Sequence, residues 1–424
     1  MTRERARTTT GLAIGAWLVA SVFYFYQYVL RSAPSVMVPQ LTDAFGLSAG
    51  GLAAMLGLLY YGYSPFSLLA GVAMDQFGPR KVVPLGAACV ALGSLMFASG
   101  EPTIASIGRF LQGAGGVFAL IGAAFIATTR FPAARAATLI GLTQMFGMAG
   151  GSAGQFAVGP AIAGGLPWQM FWIGMAALGL AVAGFLFALL PEAPAKPPDR
   201  ASGGRRMRDA WSALGTVFAN RQSWLCGLIA GLMFIPTTIF DMTWGVRFLE
   251  EGHELPYTEA VMRSASVPLG WIIGCPLMGW LSDRLGKRRP VIIGCAAVLL
   301  ITLVLILYGP PELFPPMTLG LIAGIASGAA MIPYTVIKEA NLPEHSGTAT
   351  GVVNFINFSF SALLGPVFGA LLTFSSDRDA RNLWHYQITF EPLIYGVAIA
   401  ILLTLALKET GKGRQPAPAV TRTN

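Results

Sequence analysis

The sequence predicts an all-α membrane protein with twelve transmembrane helices, and three observations lead to this prediction. Of its 424 residues, 54% are hydrophobic and only 11% are charged, whereas soluble globular proteins carry about 25% charged residues. Twelve stretches each reach the roughly 20 mainly apolar residues that a membrane-spanning helix needs. The two halves of the chain also repeat a set of motifs. A soluble fold would need a very large dry core, so we exclude that class.

The predicted helices follow one another with short connections. They cover residues 12–38, 49–73, 81–99, 103–129, 136–164, 168–190, 223–248, 258–282, 289–308, 314–337, 348–374 and 388–407. One longer polar stretch, 191–222, separates an N-terminal bundle of six helices (1–190) from a C-terminal bundle (223–410). Within this linker, residues 207–221 could form an amphipathic helix on the membrane surface. Residues 411–424 are expected to be a disordered tail.

Lys and Arg residues predict how the helices cross the membrane. Most of the 28 basic residues fall in segments that the twelve helices would leave on one side, and such an excess marks the cytoplasmic side. We therefore expect both termini in the cytoplasm of a bacterium and the helices in its inner membrane. The net charge of +8 has the same origin, so it does not indicate a nucleic-acid-binding surface.

The sequence lacks the residue patterns of several functional classes. The four cysteines lie in apolar stretches without CxxC spacing, so we expect no disulfide framework and no metal site. The glycine-rich runs at 113–116 and 147–154 lack the GxxxxGK[ST] pattern of a nucleotide loop. No nucleophile–base pair accompanies the single histidines. These observations predict a protein without cofactor, without metal and without enzymatic activity.

A charged loop motif occurs once in each half. Residues 71–81 read GVAMDQFGPRK and residues 279–289 read GWLSDRLGKRR. Each has a glycine, an aspartate four residues later, a second glycine and a basic pair. An aspartate near a helix end can form charge contacts that break when two bundles move. We therefore interpret both loops as gates, with these gating residues: Gly71, Asp75, Arg80, Gly279, Asp283 and Arg284.

The first helix carries a polar stripe on one face. Its members are spaced by three and four residues, so they share that face: Tyr24, Gln27, Tyr28 and Arg31. A shift of 210 residues, which also relates the fifth and eleventh helices, places the stripe on the seventh helix. There it falls on Phe234, Thr237, Thr238 and Asp241. One stripe therefore ends in a cation and the other in an anion.

The fourth helix carries the sequence Arg109-Phe-Leu-Gln112-Gly113-Ala-Gly115. Together with the two loop motifs, it resembles the major facilitator superfamily over nearly the whole chain. The resemblance implies two pseudo-symmetric six-helix bundles, alternating access and a solute site between the bundles near mid-membrane. It also implies that Arg109 serves either proton coupling or helix packing. The first-helix pattern is similar to organic-anion transporters, whereas Trp244-Gly245 and residues 279–284 are similar to proteobacterial amino-acid and siderophore transporters.

Two ionisable residues are the sharpest site candidates. A charge at the centre of a membrane helix costs at least about 2.5–3.5 kcal/mol, so it usually faces a cavity or a partner. We expect Arg31 to bind an anionic group of a substrate, although it could instead extend to the membrane surface. Asp241 could hold a substrate ammonium, carry a coupled proton or form a static ion pair with Arg31. If the two charges face each other, a zwitterion would satisfy both, and a simple organic anion would satisfy Arg31 alone.

Polar residues elsewhere in the helices could complete the substrate site. Besides Arg31 and Asp241, the predicted substrate-binding residues are Tyr24, Gln27, Tyr28, Thr238, Trp244, Gln144, Asn354, Asn357 and Tyr334. Each could equally form a hydrogen bond between helices, because unpaired polar groups are costly in lipid. Gln144 and Asn354 occupy matching positions in the two halves, which favours them.

These observations lead to one main hypothesis and two rivals. The main hypothesis is a monomeric secondary transporter that moves a small zwitterionic or anionic metabolite with protons across the lipid bilayer. The first rival is an exporter of a siderophore or drug-like compound, which a wide apolar cavity would support. The second rival is a non-transporting membrane receptor or assembly factor, against which the two complete loop motifs argue.

Overall fold

The structure, a computed structural model, describes residues 2–131, 133–190, 202–342, 345–374 and 382–411. In this part of the chain every regular element is a helix. The α-helices are α1 (Thr2–Ser32), α2 (Val38–Phe45), α3 (Ala49–Phe77), α4 (Pro79–Phe97), α5 (Pro102–Arg130), α6 (Ala133–Phe156), α7 (Val158–Ala163), α8 (Trp168–Leu189), α9 (Ser202–Ala219), α10 (Arg221–Ile235), α11 (Gly245–Arg247), α12 (Tyr257–Leu285), α13 (Arg289–Tyr308), α14 (Thr318–Ser327), α15 (Ile332–Glu339), α16 (Ser346–Phe374) and α17 (Leu383–Ala406).

Each of the twelve predicted membrane segments corresponds to helix in the structure, which confirms the predicted fold class. Eleven segments in the described part are long and apolar enough to cross a membrane. The remaining predicted segment, the fifth along the chain, corresponds to helix α6 continued by α7. It is less apolar because it carries four buried polar side chains that bond to neighbouring helices: Thr143, Gln144, Ser152 and Gln155. The predicted placement of both termini in the cytoplasm stays a prediction.

Irregular turns interrupt three of the membrane segments. The first passes from α1 into a 3₁₀ turn at Ala33–Val36, where Pro34 cannot continue an α-helix. The seventh contains two π-helical segments, Pro236–Trp244 and Phe248–Gly252, on either side of α11. The tenth has a 3₁₀ turn at Gly328–Met331 between α14 and α15. Irregular backbone inside a membrane is tolerated where protein or a cavity surrounds it, so these turns point to the interior of the molecule.

The helices within each half approach closely at glycines. At Gly113 on α5, an added Cβ would lie 1.8 Å from the backbone oxygen of Leu59 on α3. At Gly324 on α14, it would lie 2.0 Å from the backbone oxygen of Val267 on α12. Only a residue without a side chain fits such crossings, which is how helices associate in lipid without a hydrophobic driving force.

The two halves meet along two helix pairs. Between α3 and α16, the hydroxyls of Ser64 and Ser359 lie 2.8 Å apart. Between α6 and α12, the Ser152 hydroxyl donates to the backbone oxygen of Ala265 at 2.9 Å. The Tyr257 hydroxyl, at the start of α12, donates to the backbone oxygen of Val36 at 2.9 Å. The two pairs therefore enclose the space between the halves from opposite sides.

The predicted linker is described only in part. Helix α9 lies within residues 191–222, whereas residues 191–201 are outside the described residues. The exposed Trp211 and the partly buried Phe218 lie on α9, and the Phe218 ring packs edge-on against Phe355 of α16 at 6.0 Å. The division into two six-helix bundles stays a prediction. The predicted disordered tail lies outside the described residues except for Gly411.

Candidate functional site

A narrow cavity lies between the two halves. Its walls come from α1, α3 and α5 of the first half, and from the first π-helical segment and α16 of the second. The lining residues that carry polar or aromatic groups are Arg31, Tyr60, Arg109, Thr238, Thr243, Trp244 and Ser361. The cavity leaves about 20 Å³ for the centre of a water-sized sphere, which is room for roughly one water molecule. A solute therefore needs the halves to move apart before it can enter.

Arg31 is the best-defined group in this cavity. Its guanidinium carbon lies over four aromatic rings, at 4.3 Å from the centroid of Tyr28, 5.0 Å from Tyr63, 5.4 Å from Tyr60 and 5.1 Å from Phe358. We call these four rings the aromatic cage. Phe358 belongs to α16 in the second half, so the cage is built from both halves. Cation–π contacts of this kind stabilise a desolvated guanidinium.

The cage leaves part of the Arg31 hydrogen-bonding capacity unused. Its Nη2 donates to Gln27 Oε1 at 3.2 Å, whereas its Nε and Nη1 are buried without a partner. The Gln27 Nε2 is also buried and unpaired. In the part of the chain that the structure describes, no carboxylate forms an ion pair with Arg31. The cavity is therefore lined by a side chain that carries a full positive charge and two buried, unpaired N–H donors, an arrangement that suits the oxygens of an anion.

Other predicted site residues form two hydrogen-bonded clusters beside the cavity. The Tyr24 hydroxyl donates to Gln144 Oε1 at 3.1 Å and lies 3.4 Å from the Tyr28 hydroxyl. In the second half, the Tyr334 hydroxyl donates to Asn354 Oδ1 at 2.6 Å and accepts from Asn357 Nδ2 at 3.0 Å. Neither Gln144 nor these asparagines are among the cavity-lining residues. Their geometry agrees with the alternative of hydrogen bonds between helices.

Thr238 and Trp244 lie in the cavity wall, and their role in substrate binding stays a prediction. The hydroxyls of Thr238 and Ser361 lie 2.9 Å apart. Sequence reasoning did not single out Ser361, nor the cage residues Tyr60, Tyr63 and Phe358. The spacing of Tyr60 and Tyr63 by three residues places them on one helix face, and this signal could have been used.

Arg31 and Asp241, which we predicted to face each other, form no ion pair in the described part of the chain, so the zwitterion site stays a prediction. Asp241 is not among the cavity-lining residues, and its Oδ1 accepts a hydrogen bond from the Ser264 hydroxyl at 3.0 Å. The predicted stripe assumed α-helical periodicity, but Asp241 lies within the π-helical segment Pro236–Trp244. A π-helix bonds residue i to i+5, so each turn takes up more residues and the stripe divides. Thr238 stays in the cavity wall, whereas Thr237 accepts from Trp271 Nε1 at 2.9 Å.

Arg109 links three helices of the first half. Its Nη1 donates to the backbone oxygen of Leu30 at 3.1 Å and to Gln112 Oε1 at 2.7 Å. Its Nη2 lies 3.5 Å from the backbone oxygen of Leu56. These bonds to α1, α3 and its own helix α5 agree with the packing alternative, and a role in proton coupling stays a prediction.

The repeated loop motif forms a charge cluster in the second half. Arg288 Nη1 pairs with Asp283 at 2.6 Å, and its Nη2 pairs with Glu339 of α15 at 2.8 Å. Burial lowers the pKa of the Arg288 guanidinium, but the two carboxylates outweigh this effect and raise the pKa above its ordinary value. Arg284, which we predicted as a gating residue, stacks instead on the Trp280 ring at 5.2 Å.

The equivalent loop in the first half is described less completely. Arg80 Nε donates to the backbone oxygen of Phe187 at 3.3 Å, and its guanidinium lies 5.3 Å from the Phe187 ring. Gly71 and Asp75 lie near the end of α3. At Gly279, an added Cβ would meet no atom within 4 Å. The gating role of both loops stays a prediction.

We expect Arg288→Gln to lower the free energy of unfolding of the protein by about 1–3 kcal/mol. The variant leaves the Asp283 and Glu339 carboxylates without their shared cation, and bonds to charged groups contribute about 1.5–3 kcal/mol before solvent screening reduces them. Thermal unfolding in detergent measures the loss. Arg284→Gln in the same loop is the matched control and should change stability by no more than about 0.5 kcal/mol. Equal losses in both variants would contradict the assignment of the cluster.

Known proteins resemble this chain over most of its length. The family model for the Major Facilitator Superfamily matches residues 20–366. A probable sulfoacetate transporter of Cupriavidus necator is 25% identical, covering 85% of this chain and 87% of the relative. A membrane sensor protein of Salmonella typhimurium is 22% identical, covering 93% of this chain and 90% of the relative. The inward-open xylose transporter of E. coli superposes with a TM-score of 0.70 at 16% identity, covering 96% of this chain and 98% of that one.

Proposed function

This chain belongs to the major facilitator superfamily of transporters, as a multi-pass protein of the bacterial inner membrane, and from that premise we propose that it moves a small organic anion with protons. Alternating access supplies the mechanism: the two halves rock about a site between them, so the site opens to one side at a time. Arg31 would bind the anionic group, and Asp241 would carry the proton.

The observation that carries this proposal is the unpaired charge of Arg31. An arginine inside a membrane protein normally has a partner, because an unpaired charge there is costly. Here two N–H groups of the guanidinium are buried without a partner, on a side chain that lines the cavity between the halves. A carboxylate or sulfonate that entered could accept a hydrogen bond from one of them, and a second bond from the remaining N–H of Nη2 would complete the bidentate geometry that arginine favours. The cage residues would give way as the cavity widens.

An anion fits this cavity better than a zwitterion. The zwitterion hypothesis required Asp241 as the counterpart of Arg31, and Asp241 points to Ser264 instead. Sulfoacetate, named for the relative from Cupriavidus necator, is an organic anion. The charge of Arg31 in the cavity wall also argues against the exporter of a drug-like compound, which a wide apolar cavity would favour.

Proton coupling is supported by the surroundings of Asp241. Its side chain is 3% exposed, and among the described residues no cation pairs with it. A buried carboxyl group without a neighbouring cation favours its neutral, protonated form. Co-transport of a proton with an anion would also reduce the charge that crosses the membrane.

A sensor is the second candidate function, because one relative of this chain is a membrane sensor protein. A sensor of this fold could bind the same anion at Arg31 without passing it on. Binding and flux must therefore be measured separately.

We expect purified protein to bind organic anions and, in liposomes, to exchange them. The first measurement is thermal unfolding with carboxylates, sulfonates, zwitterionic amino acids and neutral nucleosides. A ligand at 100 times its Kd stabilises the folded state by about 2.7 kcal/mol. The second is counterflow of the stabilising solute across the liposome membrane. Stabilisation by zwitterions or nucleosides alone would contradict the anion proposal, and anion binding without counterflow would favour the sensor.

A further inference from the structure

A second buried polar cluster joins the two halves outside the cavity. Gln155 Nε2, on α6 of the first half, donates to the Ser35 hydroxyl at 3.1 Å and to the backbone oxygen of Asp241 at 3.3 Å. The Ser264 hydroxyl donates to Asp241 Oδ1 at 3.0 Å and lies 3.2 Å from the same backbone oxygen. The side chains of Gln155 and Asp241 are therefore connected through the Asp241 carbonyl.

Two oxygens in this cluster have no partner. Asp241 Oδ2 and Gln155 Oε1 are both buried without a hydrogen bond. The two residues are 3% and 0% exposed, so water does not satisfy these atoms from outside. Both oxygens are acceptors, and neither can supply the hydrogen that the other lacks. Two unpaired acceptors in one buried cluster indicate a missing donor or cation.

The charged groups around Asp241 do not supply that partner. On the element that follows it, Arg247 pairs with Glu250 at 3.6 Å and with Glu251. On α12, Arg263 pairs with Glu259 at 2.7 Å, and the Tyr257 hydroxyl is bonded to backbone oxygens of the first half. Arg31 on α1 lies in its cage. Within the described ranges, no cation therefore forms an ion pair with Asp241.

We propose that Asp241 and Gln155 hold the coupled proton between the halves. The proton is bound to Asp241 Oδ2 and donated in a hydrogen bond to Gln155 Oε1, which satisfies both unpaired oxygens at once. Gln155 is a positioning residue for this proton. The inference rests on the proposed function and adds a second, opposing residue to the proton site.

A proton fits this cluster better than a metal ion. Calcium takes six to eight oxygen ligands and magnesium about six in nearly octahedral geometry. Only two oxygens in the cluster are free, since the Asp241 Oδ1 and carbonyl oxygen already accept hydrogen bonds from Ser264 and Gln155. A single proton needs one donor atom and one acceptor.

The position of the cluster connects proton binding to movement. Gln155 belongs to α6 and Asp241 to the π-helical segment of the other half. When the halves separate at this end, Gln155 withdraws and Asp241 loses its acceptor. Water then reaches the carboxyl group, which releases its proton to that water and becomes a carboxylate. The protonated form therefore stabilises the state that is closed at this end.

The pH dependence of Gln155→Leu tests the proposal. Counterflow of the organic anion is measured in liposomes with equal pH on both sides, over a pH series. Removal of the acceptor destabilises the protonated carboxyl, so the midpoint of the profile should move to lower pH by about one unit. That shift is a tenfold change in proton concentration, or about 1.4 kcal/mol. Asp241→Asn, which has no titrating group, should remove this midpoint from the profile.

Ser152→Ala is the matched control for Gln155→Leu. Ser152 also lies on α6 and also bonds across the interface, to the backbone oxygen of Ala265. Loss of this bond weakens the interface but leaves the proton site unchanged, so the midpoint of the pH profile should equal that of the natural protein. An unchanged midpoint in Gln155→Leu, an equal shift in Ser152→Ala, or a requirement for sodium at fixed pH would each overturn the proposal. Absence of counterflow in the natural protein would instead refute the proposed function.

Discussion

We expect the exchange of organic anions to fall at least tenfold when Arg31 is replaced by lysine. A tenfold loss corresponds to about 1.4 kcal/mol, and two changes in the side chain account for it. Lysine lacks the planar fork that binds both oxygens of a carboxylate or sulfonate. It also exchanges the stacked guanidinium of the aromatic cage for a strongly hydrated ammonium. Counterflow in liposomes and the anion-induced thermal shift should both report the loss.

The control for this prediction is Arg263→Lys. Arg263 pairs with Glu259 on the same helix at 2.7 Å, and a lysine can keep such a single ion pair. We expect exchange to stay within about twofold of the natural protein, because pairs of this kind contribute little. Near-normal exchange by Arg31→Lys would remove Arg31 from the substrate site. It would leave the family assignment intact.

Gly113→Ala should destabilise the folded protein markedly. The new methyl group would lie 1.8 Å from the Leu59 oxygen and 2.9 Å from the Tyr63 nitrogen, both in the backbone of α3. Backbone atoms cannot rotate away as a side-chain end can, so α3 and α5 must separate. Overpacking costs about 1–3 kcal/mol, and we expect the upper end of this range. Tyr63 also carries a ring of the aromatic cage, so anion binding should weaken as well.

Gly174→Ala is the control for this effect. Gly174 lies within α8, and an added Cβ there meets no atom within 4 Å. The same substitution should therefore be neutral or stabilise the helix by up to about 1 kcal/mol. The yield of monodisperse protein in detergent and its thermal midpoint compare the two variants. Similar behaviour of both would contradict the close crossing of α3 and α5.

Hydropathy and motif spacing were sufficient to predict the helices and the family. Twenty apolar residues in succession have few alternatives to a membrane helix, so the twelve segments could be located from sequence alone. The Arg109-to-Gly115 motif can likewise be recognised from sequence, because it contains glycines that close helix packing requires, such as Gly113 at the crossing of α5 and α3. Both signals are local, and local signals can be read without knowing what lies across the interface.

The arrangement of the site depended on features that periodicity does not reveal. The repeat predicted Asp241 opposite Arg31, but the π-helical segment turned it toward Ser264. Pro236 at the start of this segment signals a break in the α-helical hydrogen bonds, but it does not reveal the π-helical register. Phe358 was missed for a similar reason: a phenylalanine in an apolar helix is ordinary until a charge from the other half lies beside it.

The aromatic cage also affects the binding affinity that we expect for the substrate. Since the guanidinium already lies over four rings, a solute that binds Arg31 as we propose would replace these contacts with its own and would gain only the difference in free energy. Modest affinity, with correspondingly rapid release, follows from that exchange. The Phe358 ring belongs to the second half, so its contact with Arg31 also stabilises the association of the two halves in the absence of substrate.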